Sequence, residues 1–163
     1  MKKILLAYFS RTGNTRSVAT QIQKVTGGDI FEIKLVDPYP DDYDEAVKRA
    51  GEELKTNYKP ELKTRIDNIK DYDVIFIGHP IWWSTFPAPI RSFLSDYDLA
   101  GKTIIPFCTH EGSKSGNSVA DISKLCPRST ILEGLAIRHG EDAKKLESEI
   151  SEWLSKIKVE KLA

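Results

Sequence analysis

The stretch Leu5-Leu-Ala-Tyr-Phe-Ser-Arg-Thr-Gly-Asn-Thr15 decides how the chain folds. Ile4 to Phe9 is too continuously apolar for a strand with one wet face, so it predicts a central strand covered on both sides. The run stops abruptly in Ser10, Thr12, Gly13, Asn14 and Thr15. Val18, Ala19, Ile22 and Val25 then recur at helical spacing until Gly27-Gly28 ends the pattern. Strand, tight turn and helix follow one another, which puts the turn at the carboxyl end of a parallel sheet. Hydroxyls of Ser10, Thr12 and Thr15, the Asn14 amide and the unpaired N–H groups of the helix start converge there, and the helix dipole adds partial positive charge. Turn formation and capping alone do not require so many donors; the combination predicts an anion pocket.

Outward from this unit, the 163 residues are enough for one domain, expected to span 1–163, with a sizeable core, and 40% apolar content agrees. Lys plus Arg and Asp plus Glu both total 24, so there is no basic field to gather nucleic acid or anionic membrane. Cys108 and Cys126 are too few and too far apart for a disulfide framework or a metal cluster, and no metal ligands are assigned. With no secretory signal and no apolar run of membrane length ahead of the first strand, the expected compartment is the cytoplasm and no membrane insertion is expected.

Phe31, Ile33 and Leu35 alternate with Glu32 and Lys34, which predicts a strand near the sheet edge. Asp37-Pro-Tyr-Pro40 is a rigid turn, and Asp41 or Asp42 can cap a helix reaching about Lys55. Residues 57–71 are polar and irregular. Val74-Ile-Phe-Ile-Gly78 predicts a second wholly apolar strand beside the first, ending in the loop His79 to Pro87. Two adjacent tryptophans cannot share one core direction, so at least one of Trp82 and Trp83 faces solvent or a ligand. A short helix follows from Pro87 to Leu94. Thr103-Ile-Ile-Pro-Phe-Cys108 predicts a third inner strand, with a local irregularity at Pro106, which has no ladder donor. The loop Thr109-His-Glu-Gly-Ser-Lys-Ser-Gly116 comes next, then a helix through Val119, Ile122 and Leu125. A last strand over Thr130 to Ile137 and a C-terminal helix striped by Ala143, Leu146, Ile150, Trp153 and Ile157 complete the chain.

Five strands alternating with helices predict an open parallel sheet with all strand-to-helix loops on one side. Ligands of such sheets sit outside the carboxyl ends of the strands, where the chain direction reverses. Loops 10–15, 79–87 and 109–116 all reach that point. The first offers anion donors, the second planar aromatic surface, and the third backbone donors with His110, Glu111 and Ser113. His79 and His110 read more readily as hydrogen-bonded structural residues than as proton donors, and Cys108 as a small buried hydrophobe, so no catalytic residue is assigned.

Tyr8-Phe-Ser-Arg-Thr-Gly-Asn-Thr15, the Pro-Tyr-Pro of residues 38–40, Gly78-His-Pro-Ile-Trp-Trp83, Pro87-Ala-Pro89, Phe107-Cys-Thr-His-Glu-Gly112 and Leu132-Glu-Gly-Leu-Ala136 together resemble one bacterial branch of the flavodoxin-like family, in its short single-domain form. The resemblance implies a three-layer α/β/α sandwich on a five-stranded parallel sheet, with strand order 2-1-3-4-5 and FMN as cofactor. It implies Ser10, Thr12, Gly13, Asn14 and Thr15 at the FMN phosphate. Pro80, Ile81, Trp82 and Trp83 would line the ring, and Thr109, His110, Glu111, Gly112 and Ser113 would meet its other face or pyrimidine edge. Arg11 and Arg16 would face solvent. Two parts of the family pattern are missing: the acidic surface usual in electron carriers, and a glycine within His79 to Pro87. The function expected is electron transfer through bound FMN with a redox partner protein. The alternatives are an FMN-dependent NAD(P)H:quinone-type oxidoreductase acting on small quinone and nicotinamide substrates, and a flavin-free interaction or sensory domain. The chain is expected to be a monomer or homodimer.

Overall fold

Ile4–Tyr8 form β1, and all five residues are buried, as their unbroken apolar run requires. The computed structural model describes residues 2–159. After β1 come α1 (Asn14–Thr26), β2 (Asp29–Glu32), α2 (Tyr43–Thr56), a 3-10 turn (Ile69–Asp71), β3 (Val74–Pro80), α3 (Ala88–Asp96), β4 (Thr103–His110), α4 (Ser118–Leu125), β5 (Thr130–Ile131), β6 (Leu135–Arg138) and α5 (Ala143–Lys156). All strand pairings within the sheet are parallel, in the order β2-β1-β3-β4-β5, with β6 continuing alongside β4.

Alternation along the strands splits the core into two layers. Leu5, Ala7 and Phe9 join Ile75, Ile77 and Ile104 beneath Ile90 and Phe93 of α3 and Ile122 of α4. Ile4, Leu6 and Tyr8 join Phe76, Ile105 and Phe107 beneath Val18 and Ile22 of α1 and Ile150 and Trp153 of α5. Helices therefore cover both faces, giving the three-layer α/β/α sandwich. Among the described residues no helix is long and apolar enough to cross a membrane.

Three boundaries depart from the sequence pattern for local reasons. The edge strand lies at 29–32 rather than 31–35. Ile33 N–H still donates to Tyr8 O at 2.7 Å, but Leu35 leaves the sheet to bridge Leu62 in antiparallel fashion. Ile33 and Leu35 are buried as the alternation demanded. Leu35 gets its backbone partner from the returning excursion instead. β3 and β4 each run two residues past their apolar stretches, because His79 and Pro80 keep register with Cys108 and Thr109. His79, Pro80, Thr109 and His110 are therefore strand residues rather than loop residues. The last strand is interrupted. From Ile104 to Phe107 β4 advances three residues, while the facing chain advances four, from Ile131 to Leu135. Leu132 N–H still reaches Ile104 O at 3.0 Å. Two residues further on, Pro106 turns toward the same neighbour with no N–H to give, and the extra residue opposite is accommodated as a bulge. The irregularity expected at Pro106 thus falls on its neighbour; β4 itself is continuous.

Candidate functional site

The carboxyl ends of β1, β3 and β4 open into one cleft of about 870 Å³. Of the residues that the sequence singles out, Ser10, Thr12, Asn14, Thr15, Pro80, Ile81, Trp82, Trp83, Thr109, Glu111, Gly112 and Ser113 line it together. Gly13 and His110 are not among the lining residues.

Gly13 shapes the first wall. It caps α1 with φ 100°, in the left-handed region where a side chain is strained, and its N–H donates to Ser10 Oγ at 3.1 Å. Ser17 N–H takes the Gly13 carbonyl at 3.0 Å, the first bond of the helix. The N–H groups of Asn14, Thr15 and Arg16 come before it and point out of the helix start. Asn14 Nδ2 donates to Thr12 Oγ1 at 3.2 Å, which leaves the Thr12 O–H free to donate to a ligand. Thr15 is buried, and its hydroxyl meets that of Thr109 at 2.8 Å, tying the first loop to the third across the cleft floor. Arg11 lines the cleft beside this cradle. It turns its guanidinium away to Pro40 O (3.2 Å) and Asp41 O (2.9 Å). Exposed Arg16 pairs with Glu32 at 2.6 Å and also contacts Tyr8, and both partners raise its pKa. An anion here would be held by dipoles and neutral donors.

The second wall is aromatic. Trp82 is half-buried, edge-on to Phe9 with centroids 5.6 Å apart and to Tyr39 at 4.9 Å. Trp83 is 54% exposed, as the reading of two adjacent tryptophans required. From Trp82 to Thr85 the chain makes a two-residue hairpin: Trp82 N–H donates to Thr85 O at 2.9 Å, and Thr85 N–H to Trp82 O at 3.2 Å. Such a turn needs positive φ at both central positions, and Trp83 (54°) and Ser84 (66°) supply it without glycine. The strain, about 1–2 kcal/mol per residue, is opposed from both sides. Trp83 Nε1 donates to Val47 O of α2 at 3.0 Å, and Asn117 N–H donates to Ser84 O at 2.7 Å. Gly51 of α2 leaves room for the indole, since a Cβ there would stand 3.0 Å from Trp83 Cζ2.

The third wall carries the ionisable groups. His110 Nδ1 accepts from Gly112 N–H at 3.0 Å, which fixes its tautomer with the proton on Nε2. Burial, then the neighbouring His139 and Arg138, lower its pKa, and the ring is neutral at pH 7. Glu111 Oε1 stands 3.6 Å from His139 Nδ1, but the glutamate side chain is 81% exposed, so solvent screens its charge. Beneath the cleft His79 is fully buried with Nδ1 against Pro80 O at 2.9 Å and Nε2 unpartnered; burial pushes it down to about 4. Cys108 is buried beside it in register, and burial pushes its thiol up to about 12, as suits an inert core residue.

Tyr43, Ala46, Val47 and Ala50 of α2, with Ser84 and His139, also line the cleft, and no motif announced them. α2 reaches the site because the turn at 37–40 redirects it. Arg49 staples the helix to that turn through Asp37 O (2.7 Å) and Pro38 O (2.9 Å), and the Asp42 side chain caps the helix on Glu45 N–H at 3.0 Å. His139 follows Arg138, which keeps register with His110, and its N–H donates to His110 O at 2.7 Å. The available signal was its position, one residue past the end of a strand parallel to the others.

None of the curated proteins matches the chain by sequence. Among solved structures, a protein from Bacteroides eggerthii, provisionally described as a flavoprotein, is 36% identical with a TM-score of 0.85, covering 98% of this chain and 100% of that one. A second, from Bacteroides uniformis and described in the same way, is 30% identical with a TM-score of 0.82 over 92% of this chain and 98% of its own. A flavoprotein from Lactobacillus acidophilus, in complex with FMN, shares the fold at 21% identity and a TM-score of 0.73, over 94% and 99% of the two chains. The sequence model of the flavodoxin family matches residues 3–157. With its sheet in the order 2-1-3-4-5 and three loops converging on one cleft, the chain belongs to the flavodoxin family.

Proposed function

We propose that the chain binds FMN and works as a redox protein, passing electrons through the bound cofactor. The observation that carries this reading is the order of chemistry along one cleft: a cradle of uncharged donors at the start of α1, then indole surface, then backbone and hydroxyl donors at 109–113. A phosphate, a flat ring and a polar ring edge match these in turn, and FMN carries all three. The FMN complex of the Lactobacillus acidophilus flavoprotein supports the same reading. Bound there, FMN would supply the one- or two-electron chemistry.

The residues contribute position and environment. Thr12, Asn14 and the free N–H groups of the first turn of α1 would hold the phosphate, with the helix dipole adding partial positive charge. Trp82 and Trp83 would shelter the ring from water. Gly112 and Ser113 would fix its polar edge, and Glu111 would disfavour negative charge there, weakly because of its exposure. An absorption spectrum of the purified protein tests the cofactor: bands of bound flavin support it, and a preparation that stays colourless with added FMN overturns it.

One observation favours an enzymatic role over a carrier role. Tyr43, Ala46, Val47 and Ala50 of α2 give the cleft a further, largely apolar side, against which a small aromatic acceptor could lie beside the ring. The chain also carries no formal net charge with which to attract a charged redox partner at long range. NAD(P)H oxidation that rises on adding a quinone would establish the oxidoreductase, and absence of turnover with any nicotinamide would leave the carrier.

A further inference from the structure

Behind the aromatic wall lies a second set of side chains that binding a phosphate or a ring does not require. Trp82, on the cleft, meets Tyr39 edge to face at 4.9 Å between centroids. The Tyr39 hydroxyl donates to Glu53 Oε1 at 2.6 Å. Glu53 is only 6% exposed, and its other oxygen accepts from Arg49 Nε at 3.3 Å. Arg49 also lies over the Tyr39 ring, 4.3 Å from its centroid. Burial, then the bond to Glu53, raises the Tyr39 phenol, so in the resting protein the proton stays on the tyrosine. A phenol gives up an electron readily only when its proton can leave at the same time. A carboxylate in a short hydrogen bond is the group that can take it.

We propose that Trp82, Tyr39 and Glu53 form a proton-coupled relay that carries an oxidising equivalent away from the cleft when light excites the flavin. The inference rests on the FMN reading above. The excited ring is the oxidant. It takes one electron from Trp82, which becomes a radical cation, and the ring becomes one-electron reduced. Tyr39 then returns one electron to Trp82 while its hydroxyl proton passes to Glu53 Oε1. The net change is one electron from Tyr39 to the ring and one proton from Tyr39 to Glu53. The resulting neutral radical sits on a partly exposed ring, where dissolved reductants can reach it, and the indole at the cofactor is spared.

The test is transient absorption of the FMN-loaded protein after a blue pulse, with FMN affinity measured on the same samples. In the wild type the tryptophanyl signal should decay into a neutral tyrosyl signal, more slowly in D2O. Tyr39→Phe should lose the tyrosyl signal and keep the tryptophanyl one. Glu53→Gln should give the same loss with Tyr39 still in place, and Tyr39→Phe guards against a packing defect in that variant. An unchanged tyrosyl yield in Glu53→Gln, or identical radical spectra in Tyr39→Phe and wild type, overturns the relay. A wild type that takes up no FMN removes the proposed function and the relay together. Bound FMN without a tyrosyl radical removes the relay alone.

Discussion

Replacing Thr12 and Asn14 by alanine, singly and together, tests the phosphate cradle most directly. Thr12 Oγ1 accepts from Asn14 Nδ2 at 3.2 Å, so its own O–H is free for a phosphate oxygen, and the second Asn14 amide hydrogen is free as well. Each alanine then removes one charge-assisted bond. Such a bond contributes about 1.5–3 kcal/mol, which is about a 10- to 150-fold loss of FMN affinity for either variant. The two side chains also hold each other, so the losses are not independent. Thr12→Ala already frees Asn14 from its internal bond, and the double variant should lose less than the sum of the two, with a coupling of about 0.5 kcal/mol or more. The assay is titration of the apoprotein with FMN, read by quenching of flavin fluorescence, with riboflavin as the control that lacks the phosphate. Riboflavin affinity should stay unchanged in all three variants. If riboflavin weakens as much as FMN, or if neither single variant weakens FMN, these donors do not hold a phosphate and the reasoning fails.

Gly51→Val should push the Trp83 indole off α2, because even a Cβ there comes within 3.0 Å of the ring. FMN and riboflavin titrations should weaken together, and loss of FMN alone would contradict the assigned role of Trp83. Thr15→Val removes one partner of the buried Thr15–Thr109 hydroxyl pair and should lower unfolding stability by about 1–3 kcal/mol, measured by urea denaturation of the apoprotein; an unchanged midpoint refutes it. His79 sets a pH dependence. Its folded value lies near 4 against 6.5 ordinarily, so between those values the unfolded chain binds more protons and stability falls as the pH drops from 6.5 toward 4. The full effect is about 3 kcal/mol at 1.36 kcal/mol per unit, and it is complete above pH 6.5. His79→Gln should flatten the stability-against-pH curve in that window relative to wild type, and an identical slope would show that His79 does not titrate on unfolding.

The strands were legible because β1, β3 and β4 are covered on both faces, and only a continuous apolar run satisfies that burial. The donors at 10–15 were legible because their geometry is local to one strand-turn-helix unit. The cleft-facing side of α2 was not. Ala46, Ala50 and Glu53 face inward on that helix, a pattern with no large apolar residue, and only the path of residues 37–40 brings it over the site. The Trp83-Ser84 turn was equally hidden. Local preference puts glycine or asparagine there, and tertiary bonds to Val47 and Asn117 overrule it. The split of the last strand depended on a proline in its neighbour, so the information lay in β4, about thirty residues away from its effect.

That split bears on how the protein behaves when crowded. An open sheet has two rims of unsatisfied backbone, and a long, even rim invites a second copy to add its own strand. Here one rim is the four residues of β2, and the other is broken into pieces of two and four residues by the bulge opposite Pro106. Neither offers a run long enough to template ordered stacking of chains, so the same proline that disturbs the ladder also guards the molecule against fibrous self-association.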